Sequence, residues 1–419
     1  MIHESESAAG GAVARRLRAR LSRLDGTTAG GGRPSIAVFD HHVVPTNPVG
    51  SRTLALLSAL ADECDFTVFA ISFDNPRPDR IRHVAVPVTR RPLVVQYGCF
   101  HAVAALRYAV ERLRRGRPFD FVLSADAIVL FADIYYIHFC NRAFLRMTSC
   151  PIRRDSLMGI LHWANHALQA AVEPFVFRRA SSMIAVSQGL ARELDDAFPG
   201  TGGKTRVIHN RIDVGRLRRP DSFDRAAFRA GLGLDDRDTV LLFVAHGHFD
   251  RKGLPVLLAA QRQLADPRTV VLVVGGSDQG LRPYRAMAAE PGAGRVLFTG
   301  SSSDVRPYLW AADAFVFPSF YESFSLVSLE AAASGLPVIA PRLHGIDEYL
   351  VDGVDGFAVE QTPASVSGGI RRFLALTAEE RRAMSAMAQM IAASFDMAGL
   401  DLLWRELLKD WQRMRPAPG

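Results

Sequence analysis

Short apolar runs alternate with helix-length stretches along this 419-residue chain, and the alternation runs through twice. Residues 36–39, 66–71, 121–123 and 183–186 are strand-like, with helical stretches such as 54–60 and 103–113 between them. A second series starts afresh with 239–245, 270–274, 296–298, 314–317, 338–340 and 357–359, interleaved with helices such as 255–264 and 326–334. Strands that alternate with helices need a parallel sheet covered on both faces, so the chain reads as α/β. The length accommodates two such cores, and two doubly wound, Rossmann-like domains in tandem with a hinge near 208–216 account for it. In open sheets ligands bind beyond the carboxyl ends of the strands, so two domains facing each other would enclose a cleft. Periodicity makes the last stretch, 400–411, helical without fixing its path; a return of 395–419 onto the first domain is one expectation.

Composition narrows the class further. With 48% hydrophobic and 22% charged residues the chain is neither disordered nor a fibrous rod. Residues 1–208 carry 26 Lys+Arg against 18 Asp+Glu, and residues 209–419 carry 24 against 25, so the net +7 arises in the first half. That asymmetry fits an acidic partner for the first domain or a plain surplus of arginine, since only Lys204, Lys252 and Lys409 are lysines. No nucleic-acid recognition module accompanies it. Cys64, Cys99, Cys140 and Cys150 form no CxxC pair, which leaves no zinc spacing and no disulfide framework, and a cytoplasmic location is expected. The most apolar long stretch, 119–139, is broken by Asp120, Asp126, Asp133 and His138, so membrane contact is expected to be peripheral at most. Residues 1–33 read as an extension ending in Gly30, Gly31 and Gly32. Within it Val13, Leu17, Leu21 and Leu24 recur at helical spacing among Arg15, Arg16, Arg18, Arg20 and Arg23. Such a basic amphipathic helix lies on an anionic membrane or packs its leucines on the first domain.

The chemistry concentrates in residues 317–337. A strand ends at Phe317, a loop of small residues follows, and a helix starts at Leu326 with Ser325 as N-cap and Gly335 as its stop. The unpaired amides of that first turn, helped by the helix dipole, suit a diphosphate. At about 100° per residue Glu330 falls at the edge of the stripe formed by Leu326, Leu329 and Ala333. A carboxylate there accepts hydrogen bonds from two neighbouring sugar hydroxyls. Glu322 lies eight positions earlier, in the loop. A second turn, 244–253, runs through His246, His248, Arg251 and Lys252 into a helix with Pro255 in its first turn, and two adjacent cations at a helix entrance favour phosphate.

These residues resemble the retaining glycosyltransferases of the GT-B fold, family 4, whose signature is two glutamates separated by seven residues ahead of Gly-x-Pro; Glu322, Glu330 and Gly335-Leu336-Pro337 match it. The junction Asn210-Arg211-Ile212-Asp213 is similar to the family's Asn-x-[Val/Ile]-Asp, with Arg211 in place of the usual glycine. The resemblance implies a first domain for the acceptor (34–209) and a second for the donor (210–394). It implies that Glu330 holds the ribose of a nucleoside-diphosphate sugar, that Glu322 contacts the transferred sugar, and that amides around Phe324, Ser325 and Leu326 cradle the diphosphate. Lys252 matches the family's phosphate-neutralising lysine, with Arg251 beside it, whereas the family's arginine six residues earlier is His246 here. His138 corresponds to a histidine that reaches the donor sugar, and Gly50 to one of a glycine pair near the phosphate.

The implied reaction transfers a sugar to an acceptor hydroxyl with retention and without a metal cofactor, since no DxD-like pair occurs in a suitable loop and Asp235-Asp236 reads as a surface turn. Glycan, lipid-linked glycan and small-molecule acceptors all remain open. Two other readings stay alongside: a noncatalytic partner subunit on the same shell, favoured by Arg211 and His246, and a nucleotide-sugar epimerase.

Overall fold

The computed structural model of the protein describes residues 33–88, 92–147, 152 and 156–413. The basic helix expected at 12–24 lies outside them. Two compact units result: the described residues up to His209 together with those from Ala398 onward, and Asn210–Met397.

The first unit is built from β1 (Ser35–Phe39), β2 (His42–Val43), β3 (Asp65–Ala70), β4 (Ser72–Phe73), β5 (Arg82–Ala85), β6 (Phe121–Ala125), β7 (Ile134–Ile137), β8 (Ser182–Ala185) and β9 (Thr205–Val207). Seven of them form a parallel sheet in the order β5-β3-β1-β6-β7-β8-β9, while β2 and β4 pair separately. Strand β1 is buried at every position, as a strand covered on both faces must be, and Ile36 sits level with Phe66 and Phe121. Helices run between the strands. Pro48–Leu60 starts with Pro48 in its first turn and Asn47 as cap, and it buries Thr53, Leu56, Leu57 and Leu60, the i, i+3, i+4, i+7 set of one face. The helix Leu400–Arg413 returns onto this unit: Trp404 meets Tyr136 edge-on at 5.2 Å, Trp411 lies 5.8 Å from Phe121, and Arg405 bonds Glu63 at 2.5 Å.

The second unit contains β10 (Thr239–Val244), β11 (Thr269–Val274), β12 (Arg295–Gly300), β13 (Ala314–Val316), β14 (Val338–Ala340) and β15 (Gly356–Ala358), in the parallel order β12-β11-β10-β13-β14-β15. All six match the apolar runs of the sequence to within two residues at each end. The strand order reverses between β10 and β13 here, and between β1 and β6 in the first unit.

Three strands of the seven-stranded sheet, besides the two-residue β2 and β4, have no counterpart in the sequence reading. Strands β5 and β9 close the two edges of the first sheet and carry exposed positions, so they lack an apolar run. Strand β7 is hidden inside 119–139, the apolar stretch that its acids interrupt: Asp126 and Asp133 flank the turn between β6 and β7. Among the described residues the one helix long and apolar enough to span a bilayer is Leu93–Arg115, whose charges gather near its carboxyl end.

Candidate functional site

In the second unit β10 and β13 are neighbours, so the turns that follow them share the carboxyl edge of the sheet at the point where strand order reverses. The turns are tied together. Phe320 N–H donates to the Arg251 carbonyl at 2.8 Å, and the Arg251 guanidinium donates back to the Tyr321 carbonyl at 3.1 Å. Gly253, at φ +80°, makes this approach feasible, since a Cβ there would lie 2.0 Å from the Pro318 carbonyl oxygen. The Lys252 amide donates to the His248 carbonyl, closing a tight turn that sends the lysine side chain toward the other loop.

Lys252 Nζ consequently lies 2.5 Å from Glu322 Oε1, which also accepts the Ser319 hydroxyl at 2.8 Å. The ammonium sits 5.2 Å over the Phe317 ring. Burial alone raises the Glu322 carboxyl, but the Lys252 ammonium, Arg251 and the Ser319 hydroxyl outweigh it and hold its pKa below the usual carboxylate range. Burial lowers the pKa of Lys252, with Glu322 opposing. The pair is ionised, largely buried, and built from residues 70 positions apart.

The helix Leu326–Ala333 begins beside this pair in the chain. Ser325 occupies its N-cap without capping: the Ser325 hydroxyl is 2.7 Å from the Ser328 hydroxyl, whereas Ser187, Ser277 and Thr362 each cap their own helices through the side chain. The first-turn amides therefore lack the side-chain acceptor that other helices here possess. At the other end Gly335 N–H bonds the Ala332 carbonyl, Leu336 N–H bonds the Ala331 carbonyl and Gly335 adopts φ +86°, a Schellman stop. Glu330 and Leu326 are half-buried while Leu329 and Ala333 are fully buried, which puts the carboxylate at the edge of the packed stripe. The Phe324 ring is buried against Phe395 and Tyr349. His246 is exposed just past β10.

The first unit gathers its polar groups in the same topological place. Asp40 follows β1, Asp126 follows β6 and His138 follows β7. Asp40 accepts the Thr53 hydroxyl at 2.6 Å, and Asp126 accepts the His138 backbone N–H at 2.7 Å. Asp126 adopts φ +50°, a left-handed conformation that costs a non-glycine residue energy and marks a local constraint. The His138 ring stacks obliquely on Tyr136, with Nδ1 3.2 Å from the Tyr136 carbonyl, so Nδ1 carries the proton in that contact. Nε2 is left as a buried acceptor with no hydrogen-bond partner among the described residues. Burial, then Arg52, pushes the His138 pKa down to about 3, so the ring is neutral. Burial pushes Asp126 up to about 7 and Asp40 up to about 6.

Gly50, expected near the phosphate, has its amide on the Asn47 cap at 2.8 Å, and a Cβ would fall 1.7 Å from the His42 carbonyl oxygen, so glycine is needed for the helix to pack on β2. Asp126 and Asp40 were missed by sequence reasoning. Each is an acid directly after a strand-length apolar run of a parallel sheet, which is a usable signal. Arg211 donates to the Asp396 carbonyl at 2.9 Å within the second unit. Asp235 ties up its turn by accepting the Arg237 amide, in keeping with a structural role.

Comparison with known proteins bears on this geometry. Residues 49–216 match the Glycosyltransferase Family 4 sequence family and residues 238–375 match Glycosyl transferases group 1. The chain belongs to this class, and its fold is the GT-B glycosyltransferase fold of two Rossmann-like domains. A D-inositol 3-phosphate glycosyltransferase of Mycobacterium sp. (strain KMS) is 38% identical over 204 residues, covering 46% of this chain and 44% of that protein. The chain spans about half the length of the curated relatives it matches. Among solved structures, sucrose-phosphate synthase from Thermosynechococcus elongatus superposes with a TM-score of 0.74 at 22% identity, over 91% of this chain and 100% of that one. Anabaena Alr3699/HepE in complex with UDP-glucose does so with 0.67 at 19% identity, over 90% and 99%.

Proposed function

We propose that the protein is a retaining glycosyltransferase that moves a sugar from a nucleoside-diphosphate sugar to an acceptor hydroxyl. The observation that carries this reading is the buried Lys252–Glu322 pair, flanked by Arg251 and followed by a helix whose N-cap serine does not cap. A helix start without its side-chain acceptor, next to two cations, is suited to a diphosphate. The UDP-glucose named for the Anabaena neighbour is a donor of this kind.

Lys252 rests on Glu322. An arriving diphosphate offers the ammonium a second, doubly charged partner, and Glu322 becomes available to the hydroxyls of the transferred sugar. As the glycosidic bond breaks, negative charge grows on the leaving phosphate, and Lys252, Arg251 and the amides around Phe324, Ser325 and Leu326 oppose it. The chain's own cations do this work, so activity is expected to persist in EDTA. Glu330 takes the ribose hydroxyls. His138, neutral and with Nε2 an acceptor, receives a hydrogen bond from a hydroxyl of the donor sugar. Glu322 positions the sugar and is not assigned as a covalent nucleophile.

A thermal-shift screen across UDP, GDP, ADP and dTDP sugars, followed by analysis of the product's anomeric configuration, tests the proposal. Stabilisation by one sugar nucleotide and transfer with retention are expected. Conversion of the donor with no acceptor present would instead mean an epimerase, and the absence of both binding and turnover a noncatalytic subunit.

A further inference from the structure

The helix Leu93–Arg115 has its sides arranged in an unusual way. Gln96, Tyr97, Phe100, Ala104 and Glu111 face the first unit's core. Opposite them, where a surface helix normally carries its charges, the residues are Val95, Cys99, Ala102, Leu106, Val110 and Leu113, all exposed, with Leu106 at 65% and Leu113 at 82%. At about 100° per residue they fall within one outward arc, unbroken by a polar side chain over five turns. Charges lie on its flanks and at its carboxyl end, namely Arg107, Arg112, Arg114 and Arg115, with Arg117 just beyond. The helix's one acid, Glu111, is buried and bonded to Arg82 at 3.0 Å.

The helix Leu157–Arg179 packs against it and repeats the pattern. Leu157, Met158, Ile160, Leu168 and Phe175 are exposed, Arg178 and Arg179 close the last turn, and the single acid, Glu173, is buried. Two neighbouring helices thus expose apolar side chains bordered only by arginine. Exposed apolar surface on this scale marks an interaction site. Its charge chooses the partner: two copies meeting through this face would set arginine flank against arginine flank with no exposed acid on either helix to pair them, whereas an anionic bilayer supplies both hydrocarbon and negative charge.

We propose that these two helices form a docking face for an anionic membrane, with the apolar arc seated in the headgroup–acyl boundary and the arginines at the phosphates. The inference stands apart from the sugar-transfer reading, because vesicle binding needs neither donor nor acceptor.

The test is flotation of the full chain with vesicles of phosphatidylcholine containing phosphatidylglycerol. Co-flotation with those vesicles is expected, weakened about tenfold or more without the anionic lipid. The double variant Leu106→Asp/Leu113→Asp, at exposed positions where the fold tolerates polarity, should lower partitioning about tenfold or more, and Arg112→Gln and Arg114→Gln about fivefold each. A polarity-sensitive probe on Cys99, in a Cys150→Ser background with Cys64 and Cys140 buried, should shift to the blue on vesicle addition. Unchanged flotation of the double variant, with the leucine-bearing segment 12–24 intact, would overturn the proposal. So would a concentration-dependent doubling of mass that the double variant abolishes, since that outcome assigns the face to a second copy.

Discussion

At the carboxyl edges of its two sheets the molecule treats buried ionisable groups in opposite ways. In the first unit Asp40 and Asp126 are pushed up to about 6 and about 7, while His41 and His138 are pushed down to about 4 and about 3, in each case chiefly by burial. In the second, Lys252 and Glu322 are brought within 2.5 Å of each other as an ion pair. Removing a charge from water is costly, so a buried group either gains a close counter-ion or shifts toward its neutral form. The first edge has taken the second course, with neutral histidines and carboxyls that ionise less readily than in water, a setting for hydroxyls. The other has kept its charges, a surface for an anion.

The contrast breaks most readily at Lys252. Lys252→Met leaves Glu322 buried with only Arg251 and the Ser319 hydroxyl to offset its charge, and sugar transfer is expected to fall about 10²- to 10³-fold, with stability falling about 3–5 kcal/mol in urea denaturation. Lys252→Met/Glu322→Gln should recover much of the stability and none of the turnover. Gly253→Ala is next. Its Cβ meets the Pro318 carbonyl at a backbone of φ +80°, so a loss of about 3 kcal/mol is expected together with weaker donor binding by calorimetry. Gly50→Ala should destabilise through the His42 carbonyl in the same way but leave donor affinity alone.

The neutral side of the contrast is sharpened by pH. Because the native pKa of Asp126 lies above its unfolded value, its contribution is fully present below about pH 4 and is lost as pH rises through 7. Asp126→Asn should therefore raise the melting temperature relative to wild type at pH 8, on the order of 3 °C, with the difference shrinking progressively as pH falls toward 4. His138 has the opposite sign: its native pKa is depressed, so its contribution is present above about pH 6.5 and lost as pH falls toward 3. The smallest effect is expected from His138→Gln, which keeps an acceptor near Nε2; a rise in donor KM of about fivefold with little change in kcat would fit a sugar contact.

The second unit was the more legible half. Its strands are runs such as Thr239–Val244 and Thr269–Val274, rich in branched apolar residues and bounded by turns, and a strand buried on both faces has to read that way. Edge strands such as β5, with exposed Arg82 and His83, carry no such run. The acidic pair and the Arg-Lys turn were visible as motifs, but that Lys252 would meet Glu322 rather than solvent depends on β10 and β13 being neighbours, which is a matter of topology. Ser325 looks like an ordinary cap until the partner of its hydroxyl is known. Gly50 shows the converse: a glycine before a helix invites a phosphate reading, and a carbonyl from β2 pressed against it is a constraint that the sequence does not display.

The closing helix Leu400–Arg413 belongs to the unit that begins the chain. On the ribosome, then, Trp404 and Trp411 emerge only after every residue of Asn210–Met397 has been made, and until they do Tyr136 and Phe121 lack the indoles that cover them. The lobe translated first is finished last, and it must wait, partly uncovered, while its successor folds.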